Sequence, residues 1–259
     1  MIKGIDRYKG FGLRQEWFHR FLTHGEDWNI NSPLGNRQIE GFTRWLVDAG
    51  LWEKDRPSEL GKIMVQDGRY DSSVLWLTVW AHLSFRSPVV KWYAYCIPGG
   101  TYWKSDLVDM LARYRNMAVP NRTDVNAINA LTETLYRSPL GKTWGAGALS
   151  RESNRARITK TTPQEAIPLH AFMIDLALLS QELGRTQLSP GDLQSNKQLS
   201  PCRLFQITDN QLVEACIQSS RLFPEFIRII EDKERNLIEL LPSMTPENVL
   251  TNCLNNTRI

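Results

Sequence analysis

The chain has 259 residues, 42% hydrophobic and 23% charged, with a net charge of +3. These are ordinary globular values, with room for a sizeable core in one large domain or two modest ones. No run of eighteen apolar residues occurs and the N-terminus carries no apolar run, so neither a membrane span nor a secretory signal is expected. Cys96, Cys202, Cys216 and Cys253 are scattered with no Cys-x-x-Cys pair, which argues against iron–sulfur or structural zinc sites and for a reduced, cytoplasmic setting.

In chain order, residues 12–24 place Leu13, Trp17, Phe18, Phe21 and Leu22 at helical spacing, with Gly25 as a candidate C-cap. A polar connection from Glu26 to Ser32 follows. The next helix is expected from Gly35 or Asn36 to Ala49. Ile39, Phe42, Leu46 and Ala49 form its apolar stripe, while Arg37, Glu40, Arg44 and Asp48 face away. Gly50 ends it, Leu51–Glu53 reads as a short strand, and Lys54–Pro57 is a basic turn. Ser58 is a good N-cap for the helix after it. Helix, short strand, basic turn and helix is winged helix-turn-helix order.

Further helices are expected at Ser73–Phe85, Ser105–Tyr114, Asp124–Tyr136 and Pro163–Glu182. Lys91–Ile97 is ambiguous, its aromatic and β-branched content suiting a strand. Arg203–Thr208 alternates like a strand. Asp209 caps a helix over Asn210–Arg221. Phe223–Leu241 reads as a helix ended by Pro242, and Ser243–Leu254 as a last helix with Thr245 as cap and Pro246 in its first turn. Gly141–Ala148 and Gln187–Pro201 read as loops. The expected fold is mainly α. A winged helix-turn-helix domain occupies residues 1–70, and residues 71–259 form a larger, mostly helical domain with a few short strands.

Charge is unevenly spread: residues 1–66 carry net +1, residues 67–162 net +6 and residues 163–259 net −4. A locally basic segment can supply phosphate contacts that a modest overall charge hides. In a helix-turn-helix the N-terminal part of the second helix meets base edges. That places Asn36, Arg37, Gln38, Glu40, Gly41 and Arg44 on the candidate surface, where Arg suits guanine and Asn or Gln suits adenine. Gly41 would allow close backbone approach. Lys54 and Arg56 would meet phosphates from the wing. A protein-contact helix or a plain amphipathic surface helix fits the same pattern. A second candidate is the basic stretch Arg137, Lys142, Arg151, Arg155, Arg157 and Lys160, with Glu152 its one acid; it suits a phosphate backbone or the acidic C-terminal third of the same chain.

Other patterns carry less. The aromatics Trp92, Tyr93, Tyr95, Tyr102 and Trp103 could stack bases, although core packing accounts for such groups more often. Gly141-Lys142-Thr143 lacks the preceding glycine and strand of a phosphate loop. His19 and His24 are five apart and do not share a helix face. Asp67 with Asp71, and Asp106 with Asp109, have the spacing of surface pairs. His82 and His170 lie in apolar helical stretches. No catalytic centre is visible in the sequence.

Several stretches resemble the domain of unknown function numbered 4007 (DUF4007). They are Leu34–Leu51, Ser58–Lys62, Leu75–Leu77, Ser138–Gly141, Leu169–Leu176 and Ser200–Ile207, in matching order and spacing over most of the chain. Two departures stand out: the opening segment Tyr8–Arg14 keeps the Arg but lacks the family's His, and Cys202 stands where glycine is usual. The resemblance implies a role in DNA phosphorothioate modification, an anti-phage chemistry in which sulfur replaces a backbone oxygen. The implied counterpart is the nickase component of the single-strand phosphorothioation (Ssp) system. Such a protein would bind double-stranded DNA, open one strand with a divalent metal, Mg²⁺ or Mn²⁺, and work with a cysteine desulfurase and an ATP-dependent sulfur-transfer enzyme. A non-catalytic adaptor that brings the sulfur-transfer enzyme to DNA and a winged-helix transcriptional regulator are the alternatives.

Overall fold

The computed structural model describes residues 4–141, 148–152, 155–161, 168–194, 198–231 and 236–256; the side chains within 148–156 and at 231 and 236 lie outside that description. Helix α1 (Gln15–His24) buries Trp17, Phe18, Phe21 and Leu22 and ends at Gly25 with φ of 56°. Helix α2 (Asn36–Asp48) starts at Gly35, whose N–H donates to Gln38 Oε1 at 3.0 Å. A short hairpin follows, β1 (Trp52–Glu53) against β2 (Arg56–Pro57), with Trp52 opposite Pro57. Its tip residues Lys54 and Asp55 have φ of 47° and 62°, the paired left-handed geometry of a tight two-residue hairpin turn. Ser58 caps α3 (Glu59–Asp67) by accepting from Gly61 N at 3.0 Å. Thus helix, helix, hairpin and helix follow in the expected order.

Two helices form the centre. Helix α4 (Ser73–Arg86) buries every residue from Leu75 to Ser84. Helix α8 (Leu169–Leu183) buries every residue from His170 to Leu179 and packs on α4. A helix apolar on all sides belongs inside a core. Between them in the chain come α5 (Pro88–Cys96), β3 (Gly100–Trp103), α6 (Lys104–Tyr114) and α7 (Arg122–Arg137), then β4 (Ala148–Glu152) and β5 (Arg155–Lys160). Asn121 and Asp124 cap α7 reciprocally. Strands β3, β5 and β4 form an antiparallel sheet in that order.

The remainder holds β6 (Gln187–Leu188), α9 (Pro190–Leu193), α10 (Pro201–Phe205), α11 (Asp209–Leu222), β7 (Ile227–Glu231), β8 (Asn236–Leu240) and α12 (Pro246–Asn256). Strands β6, β8 and β7 form a second antiparallel sheet. The fold is mainly helical with a few short antiparallel strands. Buried side chains make one cluster from Ile5 to Leu254, spanning both expected domains. No helix among the described residues is long and apolar enough to cross a membrane.

Four sequence expectations change. Lys91–Ile97 is mostly helix: Ser87 accepts from Val90 N and Pro88 opens the first turn of α5, so local capping overrides the strand-like composition. Arg203–Thr208 begins in the short helix α10, capped by Ser200. Phe223–Leu241 is a hairpin rather than a helix, with Ile227 opposite Leu240 and Ile229 opposite Ile238. Its first strand buries Ile227 against the α11 side, a pairing that helical spacing did not reveal. Finally, Gln187–Pro201 contains β6 and α9 instead of being loop throughout. The expected helix over Pro163–Glu182 is described from Leu169 onward; its start lies outside the described residues, as does most of Gly141–Ala148.

Candidate nucleic-acid interface

Helix α2 has two buried sides and one open one. Phe42, Leu46 and Ala49 turn to the core; Gly41, Trp45 and Asp48 are also buried, on a second side. Asn36, Arg37, Glu40 and Arg44 remain exposed and Gln38 is half-buried. Lys54, Asp55 and Arg56 are exposed on the hairpin beside it. Trp52 holds that hairpin in place, with its ring 6.3 Å from Trp28 and 6.2 Å from Phe21. Most of the candidate base-reading residues and the wing residues Lys54 and Arg56 are therefore exposed.

Gly41 is the exception. A Cβ there would lie 2.7 Å from the Tyr8 carbonyl oxygen. The close backbone approach it permits is made by the protein's own N-terminal segment, which fills the space expected for a partner. This segment, residues 4–14, is a strap across α2. Tyr8 stacks on Trp45 with ring centres 3.6 Å apart, and its hydroxyl donates to the buried Asp48 carboxylate. Arg7 Nε reaches the same carboxylate at 3.1 Å, and its Nη2 donates to the Arg86 carbonyl at 2.7 Å. Burial raises the Asp48 pKa, while Tyr8, Arg7, Arg44 and Arg86 pull it back down. Beyond α2 the strap reaches α7: Gly12 N donates to Glu133 and Leu13 N to Thr134 Oγ1, both at 2.7 Å. Sequence reading found none of this, although the run Tyr8-Lys9-Gly10-Phe11-Gly12 carries the two small residues that close packing needs.

The basic stretch divides. Arg137 is exposed at the end of α7 and pairs with Glu133 at 3.5 Å. Lys142 lies outside the described residues. Arg151 and Arg155 sit in β4 and β5 near the end of that ladder. Arg157 is half-buried with its guanidinium 5.1 Å from the Trp103 ring centre. Lys160 turns inward. It is 2% exposed, and its ammonium donates to the carbonyls of Tyr93, Ala94 and Ile97 at 3.0, 2.8 and 2.7 Å. A phosphate has no access to it in this arrangement, which corrects its place in the basic set. Arg203, from α10, donates to the Tyr95 carbonyl at 2.8 Å. Two cations from distant segments thus cap the C-terminal end of α5, where the helix dipole favours positive charge. Burial pushes Lys160 down to about 7; the three carbonyls act the other way, since only the ammonium has three N–H to donate.

The remaining candidates resolve into structure. Trp92, Tyr93 and Tyr95 are buried core residues, and Tyr102 and Trp103 are half-buried on β3. Within the Gly141-Lys142-Thr143 stretch, Gly141 is buried and the next two residues are outside the described set. The Asp67 carboxylate takes a bidentate contact from Arg69, and Asp106 accepts from Trp103 N at the start of α6. His19 packs against Tyr70 with ring centres 4.2 Å apart. His82 and His170 are buried, and desolvation pushes them down to about 3 and about 4. Among the described residues no group of three His, Cys, Asp or Glu side chains is placed to hold a metal ion.

No protein-family model and no curated protein matches the chain. Two solved structures do, one described as a magnesium ion-bound SspB crystal structure and one as an SspB crystal structure. The first aligns with a TM-score of 0.69 at 16% identity, covering 97% of this chain and 86% of that one. The second aligns with a TM-score of 0.69 at 14% identity, covering 97% and 88%. The fold is SspB-like. The alignment covers nearly the whole chain, so the likeness takes in more than any one of its elements.

Proposed function

We propose that this chain is a DNA-binding component of a DNA phosphorothioate-modification system, acting in the cytoplasm, with residues 1–70 serving as a winged helix-turn-helix unit. The observation that carries the reading is the open side of α2, with Asn36, Arg37 and Arg44 exposed beside a hairpin whose tip presents Lys54 and Arg56. A helix of this kind fits the major groove, and a following hairpin suits the adjacent backbone. The SspB-like fold agrees with the Ssp system that the domain-4007 resemblance implies. In this reading the protein works on duplex DNA with a cysteine desulfurase and an ATP-dependent sulfur-transfer enzyme; nicking of one strand would need Mg²⁺ or Mn²⁺, and among the described residues no group of three His, Cys, Asp or Glu side chains is placed to hold it. Arg137, Arg151, Arg155 and Arg157, together with Lys142, supply additional phosphate contacts.

Anisotropy titrations with duplex DNA test it. Arg37→Ala and Arg44→Ala should each weaken specific binding by roughly 1–3 kcal/mol; unchanged affinity in both sinks the assignment of α2. Relaxation of supercoiled plasmid by the purified protein, with and without Mg²⁺ or Mn²⁺, separates nickase from adaptor and regulator. The nickase relaxes it in a metal-dependent way, and the other two leave it supercoiled.

A further inference from the structure

The strap lies between two helices whose outer faces are basic. On the α2 side, Lys9 pairs with Glu40 at 3.5 Å, and Arg37 and Arg44 stand one turn to either side of Glu40. On the other side, a Cβ on Gly10 would lie 3.6 Å from Asn126 Oδ1, and Gly12 packs directly on Glu133 and Thr134. Asn126 and Glu133 are therefore the part of α7 that meets the strap. Arg122 precedes Asn126 by one turn and Arg137 follows Glu133 by one turn, so all four share one stripe. Both arginines are exposed. Arg14 belongs to the same strip, paired with Glu133 at 2.5 Å and lying over Trp17. Lys9, Arg14, Arg37, Arg44, Arg122 and Arg137 outnumber the carboxylates Asp6, Glu40 and Glu133 among them. The strap's own backbone is held by Glu133 and Thr134 at 2.7 Å, which makes the band a fixed surface.

We infer that the duplex footprint of this protein runs from α2 across the N-terminal strap onto α7, with Lys9, Arg122 and Arg137 gripping the phosphate backbone flanking the bases that α2 reads. This rests on the DNA-binding reading of α2 and extends it to a helix some eighty residues further along the chain. The band is built from other elements than the hairpin, so it supplies a further set of phosphate contacts. Such contacts position the protein and carry no sequence information.

The test is the salt dependence of duplex binding by the full chain. Removing one cation from the phosphate backbone lowers the log–log slope by about 0.9. The double variant Arg122→Gln/Arg137→Gln should lower it by about 2, with similar relative loss on specific and random duplexes. A charge-matched control, Arg221→Gln/Arg228→Gln on α11 and β7, should leave the slope unchanged. Wild type that binds duplex with a slope untouched by the α7 pair overturns the band while leaving α2 standing. An equal fall in the control also overturns it, since net charge then suffices. Wild type that binds no duplex at all overturns the DNA reading and the band together. Circular dichroism and thermal melting of both doubles confirm that the surface, not the fold, was changed.

Discussion

Lys160→Met isolates the cap on α5. Methionine approximates the length and apolar stem of lysine but donates nothing. Three carbonyl oxygens, those of Tyr93, Ala94 and Ile97, would each be deprived of a charged donor now 2.7–3.0 Å away. A hydrogen bond to a charged group contributes about 1.5–3 kcal/mol, so the gross loss is roughly 5–9 kcal/mol. Against this, the variant no longer buries an ammonium, a penalty of several kcal/mol in folded proteins. The carbonyls stay behind as unsatisfied buried acceptors, and the net is a destabilisation of about 2–4 kcal/mol. At roughly 2–4 °C per kcal/mol for a chain of this size, the melting temperature should fall by about 4–16 °C. Differential scanning calorimetry at about pH 5.5, below the Lys160 value of about 7 so that the ammonium is charged in the folded protein, reads it directly. A melting temperature within about 1 °C of wild type, or above it, refutes the reasoning, because ammonium burial would then cancel the whole carbonyl cage.

Two further outcomes follow from buried groups. Gly41→Ala places a Cβ 2.7 Å from the Tyr8 carbonyl; the overpacking of about 1–3 kcal/mol exceeds the roughly 1 kcal/mol that alanine adds to a helix, so urea denaturation should show a net loss of about 1 kcal/mol, and a stabilised variant would mean the strap is not seated there. Asp175, on α8, is fully buried with neither carboxylate oxygen hydrogen-bonded, and desolvation raises its pKa well above the ordinary 3.8. The folded protein therefore keeps this proton where the unfolded chain has released it, so its contribution is greatest below pH 3.8 and is lost as pH rises. Asp175→Asn removes that linkage. The variant should gain on wild type by about 1.4 kcal/mol per pH unit from about pH 4 upward, until Asp175 itself ionises. His82 and His170 act in the opposite sense below pH 6.5 but are common to both proteins and cancel. A pH-independent difference would show that Asp175 is ionised in the folded state.

Local signals carried much of the fold. The apolar stripe of α2, the glycine after it, the Ser58 cap and the Thr245 cap, which accepts from Asn248 N at 3.2 Å, all act within a few residues and are legible as such. What failed depended on distant partners. Phe223–Leu241 contains good helix formers in its polar middle, and only pairing of Ile227 with Leu240 makes it a hairpin. Lys160 looks like any basic residue until the end of α5, more than sixty residues earlier, supplies three carbonyls. The same holds for the candidate interface: the exposure of Arg37 and Arg44 follows from helical period alone, whereas the seat of Gly41 against Tyr8 and the apposition of Arg122 and Arg137 need the strap in place.

That strap also sets an order on biosynthesis. Its residues leave the ribosome before those of α7, yet Gly12 and Leu13 find their hydrogen-bond acceptors there, 121 residues further on. At about 5–20 residues per second, that leaves roughly 6–24 s in which the strap lies on the aromatic Gly41 and Trp45 side of α2 with none of its α7 acceptors made. A nascent chain halted before α7 would leave that aromatic surface under an unanchored strap, open to chaperones, and one released just after α7 could close it.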